Sequence, residues 1–322
     1  MSMAEIHKTL PSIAPQPRGY GKCRDEEAHF FLCDYLDINH DLPDPVRLGE
    51  TLAEMHSKSE SPTGKFGFHC TTFDGKLPLT TTWDSDWTAF FTRLLLDVYH
   101  LDVEVNQPWE PLDAAIKTTV EKVIPRLLNP LTADGRTIKP TLIHGDLWES
   151  NIGTDVRTGD IYIYDACAYY AHHEKELGIW RCEHHNLFSE DYRNEYCINL
   201  PPSEPQEEFD DRNRLYSIET LLINSAHFPG SVTRARALNE MNWLINKYCQ
   251  DGNEGGNSSV GGVGASVPTD EMTAGDVAGL AQADGTTVDD VGVLVPADGV
   301  TGKDGVVVVQ IDDGVTVLQA ES

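Results

Sequence analysis

Apolar residues recur at the spacing of an α-helix in several stretches of the chain. Side chains three and four positions apart lie on one face of a helix, so such a face predicts a helix that packs against a core. Two of these faces fall between residues 83 and 128, and two more fall between residues 215 and 245. Their members are Trp87, Phe90, Phe91, Leu94, Leu95 and Val98; Leu112, Ile116, Val123, Ile124 and Leu127; Leu215, Ile218, Leu221 and Leu222; and Leu238, Met241, Leu244 and Ile245. The pattern predicts a mainly helical lobe.

Two shorter stretches have the pattern of strands instead. Residues 141–143 form a brief apolar run, and Ile161 and Ile163 alternate with tyrosines. Alternation with a period of two predicts a half-buried strand, and Thr158-Gly159 indicates the turn between the two strands. We expect these strands to pair within the helical lobe, which gives an α+β fold class.

The polar residues that follow these two strands carry the candidate chemistry. His144-Gly145-Asp146 comes after the first strand, with Asn151 five residues after the aspartate, and Asp165 ends the second strand. The spacing His-x-Asp-x4-Asn is typical of kinase catalytic loops, in which the Asp accepts the proton of the acceptor hydroxyl and the Asn binds a metal ion. Glycine permits the sharp turn that such a loop needs. The sequence therefore predicts a phosphotransferase that uses ATP and Mg²⁺.

The segments that contain these residues resemble the fructosamine and ketosamine 3-kinase family. The first is Leu-Ile-His-Gly-Asp-Leu-Trp-Glu-Ser-Asn-Ile at 142–152, and the second is Tyr-Asp-Ala-Cys-Ala-Tyr-Tyr-Ala-His-His-Glu-Lys-Glu-Leu at 164–177. Residues 61–69 and 83–91 resemble the inter-lobe segment of that family. The resemblance covers nearly all of residues 3–248, and its motifs are specific in combination.

The resemblance implies a two-lobed protein-kinase-like fold. It also implies transfer of the terminal phosphate of ATP to the sugar 3-hydroxyl of a ribulosamine or fructosamine, small or carried on a protein lysine, in protein deglycation. Asp146 corresponds to the catalytic base of the family, and Asn151 and Asp165 correspond to its metal ligands. Ala166-Cys167 stands where the family usually has Pro-Ala, which is a small local departure.

Residues 30–36 resemble the hinge strand of that family, so Asp34, Tyr35 and Leu36 are expected to line the ATP site. No glycine-rich loop precedes this hinge, and Lys8 lies in a segment that resembles a helix rather than the strand that carries the kinase lysine. We therefore expect an N-lobe that lacks most of its parts. Three interpretations fit: an incomplete sequence, a truncated relative with impaired turnover, or a binding protein that kept the helical lobe.

The composition of the chain changes at Asp251. From there to the end the chain contains no Trp, Tyr or Phe, and its charged residues are thirteen acidic residues and one lysine. Glycine and charge without aromatic residues predict disorder through about residue 290, whereas the valine-rich runs at 305–311 and 314–318 could pair as a marginal hairpin. The expected organisation is a residual N-lobe and hinge at 1–37, a helical C-lobe at 38–250 and a low-complexity tail at 251–322.

Four further residues are candidates for contact with the substrate. His172, His173 and Glu176 follow the metal-binding strand, and their types would also suit a zinc site, but no H-E-x-x-H motif is present. A structural or substrate-facing role is therefore favoured over a metal site. Trp148 lies within the catalytic loop, where it would either stack on a sugar ring or pack beneath the loop.

Charge excludes some classes of partner. The net charge of -28 and the lack of Lys/Arg clusters argue against nucleic acid, and no apolar run is long enough to predict a membrane span or a signal segment. Seven scattered cysteines without C-x-x-C spacing suit a reducing compartment, so a cytoplasmic location is expected.

Two alternatives to a ketosamine kinase remain open at the level of sequence. One is a non-catalytic, pseudokinase-like protein that binds glycated amines. The other is a small-molecule kinase of the same superfamily that acts on aminoglycosides or choline. The sequence does not decide between ribulosamine and fructosamine, nor does it give the oligomeric state.

Overall fold

Helices dominate the described part of the chain. A computed structural model describes residues 1–22, 29–249, 307–311 and 314–318. Within these ranges the α-helices are α1 (Ser2–Thr9), α2 (Pro45–Lys58), α3 (Trp87–Asn106), α4 (Glu110–Thr118), α5 (Ile124–Leu128), α6 (Glu190–Asn199), α7 (Phe209–His227) and α8 (Thr233–Tyr248). The mixture of helices and short strands confirms the α+β class predicted from the sequence.

The predicted apolar face of α3 is buried along its length. Asp86 caps the helix by accepting a hydrogen bond from the N–H of Ala89 at 2.7 Å, which satisfies one of the amides left free at a helix start. The helix ends at Asn106, because Gln107 adopts a left-handed backbone conformation with φ of 67°. The aromatic face of α3 packs on α7, and α7 in turn packs on α8. These three helices build the main core.

A proline explains an irregularity between α4 and α5. Pro125 lacks an N–H, and its ring conflicts with regular helical bonding one turn earlier. The backbone at Thr119–Val123 widens into a π-helix, and the N–H of Ile124 donates to the carbonyl of Thr119. The predicted apolar face from Leu112 to Leu127 therefore lies on one continuous helical segment.

The strands of the helical lobe are short. They are β3 (Ile38–Asn39), β4 (Thr72–Asp74), β5 (Leu77–Leu79), β6 (Thr141–Ile143), β7 (Ile152–Asp155), β8 (Ile161–Ile163) and β9 (Tyr169–Ala171). All their pairings are antiparallel: β3 with β7, β7 with β8, β4 with β5, and β6 with β9. The expectation that the two motif-bearing strands pair with each other is wrong. Each instead pairs with a strand that the apolar pattern did not reveal, and the Thr158-Gly159 turn joins β7 to β8.

A second compact unit contains a separate sheet. It comprises the described residues in 17–35 and 251–322, and its strands are β1 (Pro17–Lys22), β2 (His29–Asp34), β10 (Val307–Ile311) and β11 (Gly314–Leu318). The order is β1-β2-β10-β11, with antiparallel neighbours. The segment for which the sequence predicts disorder, 251–290, lies outside the described residues.

No helix in the described ranges is long and apolar enough to cross a membrane. The cysteines at the described positions 33, 70, 167, 182, 197 and 249 are all free thiols, and Cys23 lies outside the described residues.

A glycine allows α2 and α6 to approach closely. A Cβ on Gly49 would lie 2.7 Å from both the carbonyl carbon of Glu195 and the backbone nitrogen of Tyr196. Backbone atoms cannot move aside as a flexible side chain can, so this contact requires the absence of a side chain.

We expect Gly49→Ala to lower the free energy of unfolding by about 1–3 kcal/mol, because overpacking at a backbone contact outweighs the usual gain of alanine over glycine in a helix. Urea denaturation would measure the loss. Glu50→Ala, at an exposed position of the same helix, is the control and should stay within about 0.5 kcal/mol of the parent. A Gly49→Ala protein as stable as the parent would contradict this view of the interface.

Candidate active site

The loop after β6 is shaped by one glycine. Gly145 has a φ of 89°, a value that residues with side chains rarely adopt. A Cβ at this position would also lie 2.7 Å from the Sγ atom of Cys167. Both restrictions require glycine, so the loop turns sharply directly before Asp146.

His144 is buried and supports the loop from within. Its Nε2 lies 2.8 Å from the carbonyl oxygen of Tyr164, and its Nδ1 lies 3.3 Å from the backbone nitrogen of Asp146. A carbonyl only accepts, so Nε2 donates and Nδ1 accepts the N–H of Asp146. Burial lowers the pKa of His144, so the ring is neutral. Its position supports a role in orienting Asp146 rather than in transferring a proton.

Asn151 is hydrogen bonded to Asp146. The Nδ2 of Asn151 donates to the backbone oxygen of Asp146 at 2.8 Å and to its Oδ2 at 3.0 Å. Because both bonds use the amide nitrogen, the amide oxygen is the atom of Asn151 suited to a metal ion. The sequence motif thus corresponds to a direct contact in the fold.

Asp165 comes close to this pair by way of β8. It follows the strand by two residues and has a φ of 60°, a left-handed conformation that Asp tolerates better than most residues. Its negative charge contributes to raising the pKa of Asp146. The predicted base and the two predicted metal ligands therefore converge, and their hard oxygen atoms are the kind that Mg²⁺ prefers.

The electrostatics of Asp146 are unusual for an aspartate. Burial, followed by the negative charges of Asp74 and Asp165, raises the pKa of Asp146 to about 8, although the hydrogen bond from Asn151 acts in the opposite direction. Carboxylates that repel one another in a partly buried site favour a nearby cation. A divalent metal ion fits this donor set.

Asp74 was missed by the sequence analysis. It ends β4, and its Oδ1 lies 3.0 Å from the Nε2 of His227 at the end of α7. The pair Asp74-Gly75 is a hairpin signal, and it does mark the turn between β4 and β5. Nothing in the local sequence indicates that this turn faces a loop 70 residues later.

Glu176 faces the backbone of the catalytic loop. Its carboxylate accepts hydrogen bonds from the N–H groups of His144 at 2.5 Å and of Gly145 at 3.0 Å, and its side chain is 1% exposed. These contacts favour a positioning role for Glu176 over the predicted contact with substrate.

The two neighbouring histidines also bond to the protein. His172 contacts the hydroxyls of Tyr216 and Ser203 at 2.9 and 2.8 Å, and His173 contacts the hydroxyl of Tyr196 at 3.0 Å. Burial lowers the pKa of His173 to about 3. These neutral rings are held in a buried hydrogen-bond network, and a substrate contact for them stays a prediction.

Trp148 lies half-buried against His185, with ring centroids 5.7 Å apart. Both of its predicted roles, stacking on a sugar and packing under the loop, are compatible with this position. For the predicted hinge, Asp34 ends β2 and is paired with Arg18, and Tyr35 is exposed. The proposed contacts of Asp34, Tyr35 and Leu36 with ATP remain predictions.

Comparison with known proteins gives a consistent result. The family model for fructosamine kinase matches residues 1–247. The chloroplastic protein-ribulosamine 3-kinase of Oryza sativa subsp. japonica is 31% identical over 209 residues, which is 65% of this chain and 57% of the relative. The ketosamine-3-kinase of Mus musculus is 27% identical over 232 residues, or 65% of this chain and 71% of the relative. The chain thus spans less than two thirds of the rice protein.

Two crystal structures share the fold. A candidate fructosamine-3-kinase from Thermobifida fusca has a TM-score of 0.58 at 20% identity and covers 76% of this chain and 78% of its own. Another from Haemophilus somnus has a TM-score of 0.57 at 20% identity, with coverage of 76% and 77%.

The first prediction from this geometry concerns the titration of Asp146. In magnesium-free buffer the carboxyl carbon of Asp146 should titrate with a pKa of about 8, as followed by ¹³C NMR. Asp74→Asn removes the strongest neighbouring charge and should lower this pKa. Asp160→Asn, at an exposed position outside the cluster, is the control. An unchanged pKa in the Asp74 variant would show that the two carboxylates do not interact.

The second prediction concerns stability. The raised pKa means that the fold disfavours the charged form of Asp146. The stability that Asp146 contributes is therefore fully present below the ordinary pKa of an aspartate and is lost as the pH rises towards 8. Asp146→Asn cannot ionise, and its stabilisation relative to the parent should grow from pH 5 to pH 8. Thermal melts in magnesium-free buffer would measure it. If Asp146→Asn and the parent differed in stability by the same amount at pH 5 and pH 8, the raised pKa of Asp146 would be contradicted.

Proposed function

The chain belongs to the fructosamine kinase family, and on this basis we propose that it transfers the terminal phosphate of ATP to the sugar 3-hydroxyl of a ketosamine. The observation that carries the proposal is the contact of the Asn151 amide with the Asp146 carboxylate, beside the charge of Asp165. Phosphoryl transfer requires this combination of a proton acceptor and metal ligands.

In this proposal, Asp146 orients the acceptor hydroxyl and accepts its proton. The bond from the sugar oxygen to the terminal phosphorus forms as the bond from phosphorus to ADP breaks, and the hydroxyl proton passes to a carboxylate oxygen of Asp146. The Asn151 oxygen and the Asp165 carboxylate would hold Mg²⁺, whose charge offsets that of the phosphates and lowers the pKa of Asp146. Asn151 meanwhile holds the Asp146 side chain in one orientation.

The names of the relatives, which specify ribulosamine and ketosamine, support a substrate of this class. The acidic surroundings of Asp146 suit an acceptor that carries a protonated amine, as a ketosamine does. We propose a small or protein-bound ketosamine as the substrate.

The decisive experiment measures phosphate transfer by the 322-residue chain from ATP to ribulosyl-lysine and fructosyl-lysine in the presence of Mg²⁺. Asp146→Asn should lower kcat by about 10²- to 10⁴-fold, because it removes the proton acceptor, while nucleotide binding is retained. Asp165→Asn should instead weaken the magnesium-dependent binding of nucleotide. Asp160→Asn is the matched control and should retain activity.

The outcomes separate the candidate functions. Transfer to neither ketosamine by a chain that still binds MgATP would overturn the proposal and favour a non-catalytic binding protein. Transfer to an aminoglycoside or to choline in preference to both ketosamines would assign another small-molecule kinase.

A further inference from the structure

His56 on α2 is a fully buried side chain that reaches towards the catalytic loop. Its Nδ1 lies 2.7 Å from the hydroxyl of Tyr196 on α6. Its Nε2 lies 3.5 Å from the Oε2 atom of Glu176 and makes no hydrogen bond with the described residues. A buried ring nitrogen without a hydrogen-bond partner is costly, and the polar group that this nitrogen faces is the Glu176 carboxylate.

The carboxylate that His56 faces is the one that holds the catalytic loop. The Oε2 atom of Glu176 accepts the N–H of His144, and its Oε1 accepts the N–H of Gly145. Burial acts to raise the pKa of Glu176, but the nearby His56 and the backbone of His144 outweigh it and lower that pKa. Glu176 is therefore held as a carboxylate, the form that accepts both backbone bonds.

The end of α2 is also tied to the strand that leads into the loop. The Oγ of Ser59 accepts the N–H of Leu142 at 3.0 Å and donates to the carbonyl of His56 at 3.0 Å. The Nζ of Lys139 donates to the carbonyl of Ser57 at 2.7 Å. Helix α2 thus carries His56 at a fixed distance from β6, and Tyr196 fixes the direction of its ring.

We propose that His56 is a positioning residue for phosphoryl transfer: from α2 it fixes the Glu176 carboxylate that holds the peptide groups of His144 and Gly145, and hence Asp146. This inference rests on the proposed function for its kinetic consequence but not for its structural one. The two backbone donors belong to the loop itself, so they hold the carboxylate only relative to the loop, whereas His56 restrains Oε2 from a separate helix. In a site of this kind a displacement of about 1 Å costs about 10²-fold in rate.

Two substitutions separate the two nitrogens of the ring. His56→Gln places an amide near the position of Nε2 and keeps a donor directed at Glu176. His56→Asn places an amide near the position of Nδ1, so it keeps the contact with Tyr196 and loses the one with Glu176.

Hydrogen exchange tests the structural part without any need for activity. In magnesium-free buffer the amides of His144 and Gly145 should exchange at least about fivefold faster in His56→Asn than in the parent, because their acceptor is less fixed. His56→Gln should resemble the parent. Equal protection of these two amides in all three proteins would overturn the inference, whether or not the chain transfers phosphate.

Kinetics test the functional part. His56→Asn should lower kcat by about 10- to 100-fold with KM for ATP and for the ketosamine nearly unchanged, and His56→Gln should restore most of the rate. In a Glu176→Gln background, His56→Asn should lower kcat little further, because both substitutions act through the side chain at position 176. Additive losses would overturn the inference.

A stability control excludes a general loss of structure. Leu95→Ala removes a buried side chain of α3, a helix that contributes no residue to the site, and should lower the melting temperature of the protein. If Leu95→Ala reproduced the fall in kcat at unchanged KM, the effect of His56→Asn would be one of stability and the inference would fail. If the parent chain transferred no phosphate while the exchange pattern held, the proposed function would fail and the positioning role would stand.

Discussion

The site depends on the hydrogen bonds that the buried carboxylate of Glu176 accepts from two consecutive peptide groups. A sharp turn behind a short strand leaves backbone N–H groups without partners, and a buried N–H must find one. Glu176 supplies one carboxylate for both His144 and Gly145. The turn can therefore be buried on its inner side while it presents Asp146 on its outer side.

The same arrangement sets the charge balance of the site. Glu176 adds to the repulsion that Asp74 and Asp165 exert on Asp146. The carboxylate that holds the loop therefore also opposes the ionisation of Asp146. The ammonium of Lys175 is buried with Glu219 at 2.8 Å, so it is paired outside this cluster. A cluster of acidic groups favours a nearby external cation.

Local patterns in the sequence predicted the parts of this structure that local physics determines. The 3.6-residue spacing predicted the buried face of α3, and the alternation of Ile161 and Ile163 predicted β8. The convergence of Asp146 and Asn151 followed from their spacing, because only five positions separate them. The strand partners were not predictable in the same way. Strands of three residues carry too little pattern to specify which strand lies beside them, and β6 pairs with residues nearly 30 positions away.

The roles of Asp74, His56 and Glu176 show a further limit. Each residue acts on the loop from an element that is far from it in sequence, and each has a type that is also common on protein surfaces. Only the packing of α2 against α6, which Gly49 permits, aligns His56 with Tyr196 and Glu176. A sequence motif identifies the residues that take part in the chemistry. The orientation of their side chains depends on packing that no short motif encodes.

Cys167 illustrates how closely the two functional segments are coupled. Its side chain is buried beneath Gly145, at a distance that leaves no room for a Cβ there. Burial, together with the charges of Asp74 and Asp146, raises the pKa of Cys167, so this thiol is protonated and unreactive and acts as a small packing group. Because Cys167 follows Asp165 by two residues, its contact with Gly145 sets the spacing between the segment that carries the metal ligand and the loop that carries the base. A larger side chain at position 167 would push these segments apart, which makes the small size of this residue a condition for the geometry of the site.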